Sequence, residues 1–186
     1  MRITGGELKG RQIKTPRGGV RPTQERVREA LFSSIGPALE GKRILDLYAG
    51  TGALGLEAWS RGAGEVTWVE NDARTWQVLK SNVSDLCGAS VARGCVRADA
   101  FRFLARCAEP HDFILADPPY EGHTDAVQTT KLLEQIYERN CLQPDGGVIV
   151  EQRASQAVME HPAWQILKDK KYGDTRILFY VLNPEP

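Results

Sequence analysis

The residues best suited to chemistry lie at Asp117-Pro118-Pro119-Tyr120, directly after the apolar run DFILA. Two consecutive prolines remove two backbone donors and fix φ, so the loop is stiff. The polar groups it can turn toward a ligand are therefore mostly acceptors: the Asp117 carboxylate and the Pro118 carbonyl. An amine on an aromatic ring is planar because its lone pair is shared with the ring. Two acceptors taking its two N–H groups would localise that pair toward an electrophile. A fixed carboxylate would also stabilise the positive charge that develops on nitrogen. The alkylated nitrogen is strongly acidic, so this chemistry requires neither a potent base nor a metal. Tyr120 would stack on a base, as aromatic side chains do with extruded or single-stranded bases. A rigid turn with Asp117 as a cap would use the same four residues for shape alone.

The second informative stretch is ILDLYAGTGALGLEA. An apolar strand ends near Asp46, a glycine turn follows through Ala49, Gly50, Thr51 and Gly52, and a helix starts near Ala53. Glycines allow a sharp turn and a close approach to a ligand, and the helix start offers free N–H groups. Gly50 to Gly55 also matches the dinucleotide pattern G-x-G-x-x-G, with Glu70 ending the next strand as a ribose-binding acid should. An NAD(P) oxidoreductase therefore stays open. Asp46 separates the two ligands, because a carboxylate beside the loop repels a pyrophosphate but not a sulfonium or an ammonium.

These residues need a frame that brings them to one edge. From Lys42 onward, apolar strands (RILDLY, VTWVE, VRAD, DFILAD, GVIVEQ) alternate with helical segments near 53–61, 73–86, 100–107 and 125–140. That alternation predicts an α/β fold: a mostly parallel, Rossmann-like sheet with helices on both faces. WQILKDKKYG and DTRILFYVL predict a C-terminal antiparallel hairpin. Ligands of such sheets bind at the carboxyl ends of the strands, where Asp117 falls. Ahead of the sheet, QERVREALFSSI predicts a helix with Thr23 as N-cap, and Gly36-Pro37 stops it. The Gly-, Lys- and Arg-rich opening predicts a small hairpin or arm outside the helical core. We divide the chain into this arm and helix, 1–37, and one compact unit, 38–186.

At 186 residues with 41% hydrophobic and 26% charged side chains, the composition is that of one globular domain. The N-terminus lacks the apolar stretch of a secretory signal, and no run is long enough to span a bilayer. Cys87, Cys95, Cys107 and Cys141 lack zinc spacing and read as free thiols, so a cytoplasmic protein without metal is expected. Charge is uneven: residues 1–43 hold 10 Lys+Arg against 4 Asp+Glu, a net of +6, while the remainder is −6. A basic front on an acidic body suggests a nucleic-acid partner before a membrane.

Asp46-x-x-Ala49-Gly50-Thr51-Gly52 is similar to motif I of class I methyltransferases, and Asp117-Pro118-Pro119-Tyr120 resembles motif IV of amino-methyltransferases acting on nucleic acid. The resemblance extends over nearly the whole chain. Arg2-Ile3-Thr4-Gly5-Gly6, Lys9-Gly10-Arg11, Arg21-Pro22-Thr23, Arg26 to Phe32 and the late KKYGDT look like the RsmD family, the bacterial guanine-N2 methyltransferases of small-subunit ribosomal RNA. It implies S-adenosylmethionine as methyl donor, with S-adenosylhomocysteine as product. It implies that Asp46, Gly50 and Gly52, with Ala49 and Thr51, surround the methionine part. Glu70, beside Asn71, would take the ribose hydroxyls, and Asp99 with the Ala100 backbone the adenine. Thr23 and Arg28, in a helix at the place of motif X, would touch donor or RNA phosphate. Lys9, Arg11, Lys14, Arg17 and Arg21 would grip phosphates. The implied substrate is one guanine of 16S ribosomal RNA, guanine 966, in the RNA or the small-subunit particle; apart from the resemblance, a monomer is the default expectation. One departure, Arg74-Thr75-Trp76, stands where smaller or apolar residues are expected and puts local packing in question. A DNA adenine-N6 methyltransferase and a non-catalytic RNA-binding assembly factor remain as other readings.

Overall fold

The computed structural model describes residues 1–15, 22–119 and 125–184, without the side chains of 22–24, 36–37 and 125–126. A seven-stranded sheet forms the frame: β1 (Arg43–Leu47), β2 (Glu65–Glu70), β3 (Cys95–Arg97), β4 (His111–Ala116), β5 (Leu142–Arg153), β6 (Trp164–Tyr172) and β7 (Thr175–Leu182). Its order is β3-β2-β1-β4-β5-β7-β6. The first five strands run parallel, and β7 pairs antiparallel with both β5 and β6. This is the expected class I methyltransferase sheet with its terminal hairpin.

The central strands β1 and β4 are largely apolar because both faces of the sheet are covered there. Ile44, Trp68, Leu115 and Ile149 point to one side, into a core with α1 (Pro22–Ile35), α2 (Ala53–Ser60) and α3 (Ala73–Cys87). Their neighbours Leu45, Val69, Ile114 and Val148 point to the other, against α4 (Ala100–Leu104) and α5 (Asp125–Glu138). This is the period of two that a pleated strand imposes. No helix among the described residues is long and apolar enough to cross a membrane.

Several details differ from the sequence expectation. Helix α1 starts at Pro22, so Thr23 lies in its first turn and is not the N-cap; proline's fixed φ suits that first position. Strand β5 begins five residues earlier than expected, absorbing Pro144-Asp145-Gly146 at an irregularity opposite β4. The N-terminal segment does fold back on itself, bridging Arg2 to Gln12. It does not stay outside the core. Ile3 and Ile13 are 2% exposed and pack with Val27, Phe32 and Leu56. The departure at Arg74-Thr75-Trp76 costs no packing. Thr75 donates to the capping Asp72 carboxylate, and the Trp76 indole donates to the Cys95 carbonyl at 3.1 Å.

Candidate active site

The glycine turn leaves β1 at Asp46, which is buried. Its Oδ2 accepts the Gly55 N–H at 2.8 Å, while Oδ1 has no partner among the described residues. Burial pushes the Asp46 carboxyl up to about 7 against the pull of the Gly55 N–H, and the charge of Glu70 adds to the rise. The turn needs left-handed backbone at Tyr48 (φ 58°), Gly50 (φ 57°) and Gly52 (φ 88°). The two glycines differ in what surrounds them. A Cβ on Gly52 would meet Leu79 at 2.6 Å, so that glycine serves packing as well as conformation. A Cβ on Gly50 would find nothing nearer than 3.9 Å, so its outer side is open to a ligand. Ala49 is buried and donates to Val69, and the Thr51 carbonyl accepts from the Asn82 side chain at 2.9 Å.

Next along the edge, Glu70 accepts the Gly50 N–H at 2.9 Å and the Asp72 N–H at 2.7 Å. One carboxylate thus ties the glycine turn to the start of α3 and keeps lone pairs for hydroxyl donors. Asp99 does cap α4, accepting from Arg102 N at 3.0 Å, with Ala100 buried behind it. It also lines a cavity of about 590 Å³, together with Asn71, Val96, Ala98, Phe103 and three arginines. Capping and a ligand role are therefore compatible at Asp99.

Asp117 is half-buried just beyond β4, Pro118 is buried and Pro119 exposed; Tyr120 lies outside the described residues. Register aligns Leu47, Ala116 and Val150 across β1, β4 and β5. The next row therefore places Tyr48, Asp117 and Glu151 side by side. Burial raises the Asp117 carboxyl well above the ordinary carboxylate range, and the charges of Glu151 and Asp46 raise it further. Glu151 and Tyr48, whose hydroxyl meets Gln128 Nε2 at 3.4 Å, were not among the residues predicted from sequence. The signal for Glu151 was available: a single acid closing the apolar run GVIV at a strand's carboxyl end. Three carboxylates crowded in a low dielectric form a host for a cation.

The predicted phosphate-binding residues divide. Lys9 and Arg11 are exposed; Arg17 and Arg21 lie outside the described residues, as does the Thr23 side chain. Lys14 is exposed but pairs with Asp85 at 2.6 Å. Arg28 must be corrected. It is 4% exposed, its Nε pairs with Glu57 at 3.2 Å and its Nη2 donates to the Arg2 carbonyl, so it meets neither solvent nor phosphate. Two further residues missed in the sequence dock the arm. Glu57 accepts from Thr4 N at 2.9 Å and Thr4 Oγ1 at 2.6 Å. Asn82 accepts from Lys14 N and donates to Lys14 O while holding the Thr51 carbonyl of the glycine turn.

Comparison with known proteins places the chain in a family. A family model described as "Conserved hypothetical protein 95" matches residues 1–181. Ribosomal RNA small subunit methyltransferase D of Escherichia coli (strain K12) is 36% identical over 182 residues, covering 97% of this chain and 89% of that protein. The enzyme of the same name from Haemophilus influenzae is 34% identical over 176 residues, 93% of this chain and 89% of its own. The solved structure of the yhhF protein of Escherichia coli superposes with a TM-score of 0.81 at 31% identity, covering 98% of both chains. On a match that runs from the N-terminal arm through the last strand, the chain belongs to the conserved hypothetical protein 95 family, the RsmD family.

Proposed function

We propose that the chain transfers a methyl group from S-adenosylmethionine to the exocyclic N2 of a guanine in small-subunit ribosomal RNA, guanine 966 by family resemblance. It would act in the cytoplasm as a monomer, without a metal. The observation that carries this reading is Asp117, held against Asp46 and Glu151 on a stiff proline loop at the carboxyl edge. The activity named for the Escherichia coli relative supports the substrate class.

The residues fit the donor. S-adenosylmethionine supplies an electrophilic methyl carbon next to a sulfonium, and its ammonium adds a second positive charge. Asp46 offers an unpartnered buried oxygen to a cation, Gly50 leaves room for close approach, and Glu70 keeps lone pairs for ribose hydroxyls. Asp99 borders the cavity that would take the adenine, with Ala100 buried behind it. A dinucleotide pyrophosphate fits poorly, since it would meet the same carboxylates with two negative charges of its own. On the acceptor side, Asp117 and the Pro118 carbonyl take the two N–H groups of the guanine amine. That orients its lone pair and stabilises positive charge on nitrogen. The proton lost after transfer leaves from an acidic nitrogen, with Asp117 as its first acceptor.

Purified protein is expected to transfer labelled methyl to undermethylated small subunits or their RNA, with the label on guanine N2 by mass spectrometry. Label on duplex DNA adenine and none on ribosomal RNA would reverse the proposal.

Donor affinity should depend on pH. A cation beside Asp46 favours the ionised carboxylate, so donor binding expels a proton from a group that titrates near 7 in the free protein. Affinity should then fall about tenfold from pH 8 to pH 6 for that one proton. The sign for stability is opposite. A carboxyl raised in the fold is stabilising at low pH, and this contribution is lost as pH rises toward 7. Calorimetry in buffers of different ionisation enthalpy counts the proton directly; a flat affinity across this range contradicts the assignment.

A further inference from the structure

The cavity beside Asp99 carries more positive charge than the donor can use. Its walls include Arg97, Arg102 and Arg106 against a single acid, Asp99, which is occupied in part by capping α4. All three arginines are exposed. Arg28, Arg43, Arg61 and Arg176 are held in salt bridges, whereas these three take part in no ion pair among the described residues. An adenine is neutral and has no need of three guanidinium groups. The proposed donor bears a net positive charge, so an arginine rim works against its binding. The rim suits an anion.

The geometry points to Arg97, Arg102 and Arg106 as a phosphate-binding surface for the substrate RNA, a second contact in addition to the N-terminal arm. This rests on the proposed RNA methyltransferase reading and deepens it. The surface lies at the end of β3, three strands from Asp117 at the end of β4. At about 4.8 Å per strand that separation is roughly 14 Å, a few phosphates along an RNA strand. The guanine at Asp117 and the backbone at the arginines therefore belong to one short segment. The surface also accounts for what the arm lacks, because Arg28 is buried and Lys14 is paired.

The test is a triple variant, Arg97→Gln, Arg102→Gln and Arg106→Gln, compared with wild type by equilibrium binding to an unmodified small-subunit RNA transcript. Affinity is expected to fall at least about tenfold, and the slope of log affinity against log salt to drop by about 2, at ~0.7 for each single-strand phosphate contact. The melting temperature should hold, since the three side chains are exposed, and donor affinity should not fall, since the arginine charges oppose that of the donor. An unchanged RNA affinity and salt slope overturns the inference. So does weakened donor binding with RNA binding intact, which makes the arginines a cofactor rim. Methyl transfer by wild type to small subunits is run alongside. Its failure would bring down the proposed function, while the binding data would still judge the surface.

Discussion

Replacing Asp117 with Ala should lower kcat for methyl transfer by about 10²–10³-fold, the usual loss when one preorganised charge-stabilising group is removed. The reason is positional. Asp117 is half-buried beyond β4 and held by Pro118 and Pro119, so no flexible group can substitute for its acceptor. Donor affinity should change much less. The variant also removes one of the charges that crowd Asp46, and it leaves the unpartnered Asp46 oxygen in place. Asp117→Asn separates acceptor from charge. It keeps one oxygen for the amine but brings an N–H₂ group and no carboxylate, so its rate should lie between Ala and wild type. In wild type the single-turnover rate should fall as pH drops, because burial and the neighbouring charges raise the Asp117 carboxyl. The Asn variant should lose that dependence on pH. Full activity in Asp117→Ala, or the same acid limb in Asp117→Asn, removes Asp117 from the chemistry.

The parts of this site that were legible in the sequence are local ones. A strand, a glycine turn and a helix in immediate succession fix where Asp46, Gly50 and Gly52 must lie, and a proline pair after a strand fixes Asp117. Each rests on backbone conformation, which a short window of sequence encodes. Roles set by distant partners were not legible. Arg28 looked like a phosphate ligand because its partners, Glu57 and the Arg2 carbonyl, are far away in the chain. Its spacing did hold a warning: Arg28 shares a helical face with Leu31, Phe32 and Ile35, at offsets of three, four and seven. Glu57 is the counterpart, a lone acid in a short helix that is otherwise apolar or small. A buried charge on each of two helices is a pairing signal once both faces are drawn. The row Tyr48, Asp117 and Glu151 required strand register, which local pattern does not supply.

That pair gives the largest stability effect expected in the chain. Glu57 is fully buried and gathers Arg28, Arg61 and both donors of Thr4. Glu57→Ala would leave the Arg28 guanidinium, itself 4% exposed, without its counter-charge. Breaking a buried pair in this way costs about 3–5 kcal/mol, a large share of the ~5–15 kcal/mol that holds a domain together. For a chain of this size the melting temperature should fall by roughly 6–20 °C. Desolvation makes a clear control possible, because a buried pair replaced by apolar groups of similar volume is often neutral or stabilising. Glu57→Leu combined with Arg28→Met should therefore recover much of the loss, whereas Arg28→Met alone should not. A melting temperature unchanged in Glu57→Ala would deny the network its structural role. The damage should also appear as faster tryptic cleavage at Lys9 and Arg11, since Thr4 is the arm's anchor to α2. Helix α2 follows directly on Gly52 of the glycine turn, and Asn82 on α3 holds Lys14 and Thr51 together. The helices that frame the proposed donor site thus also hold the basic arm, so loosening Glu57 should weaken RNA and donor binding in the same variant.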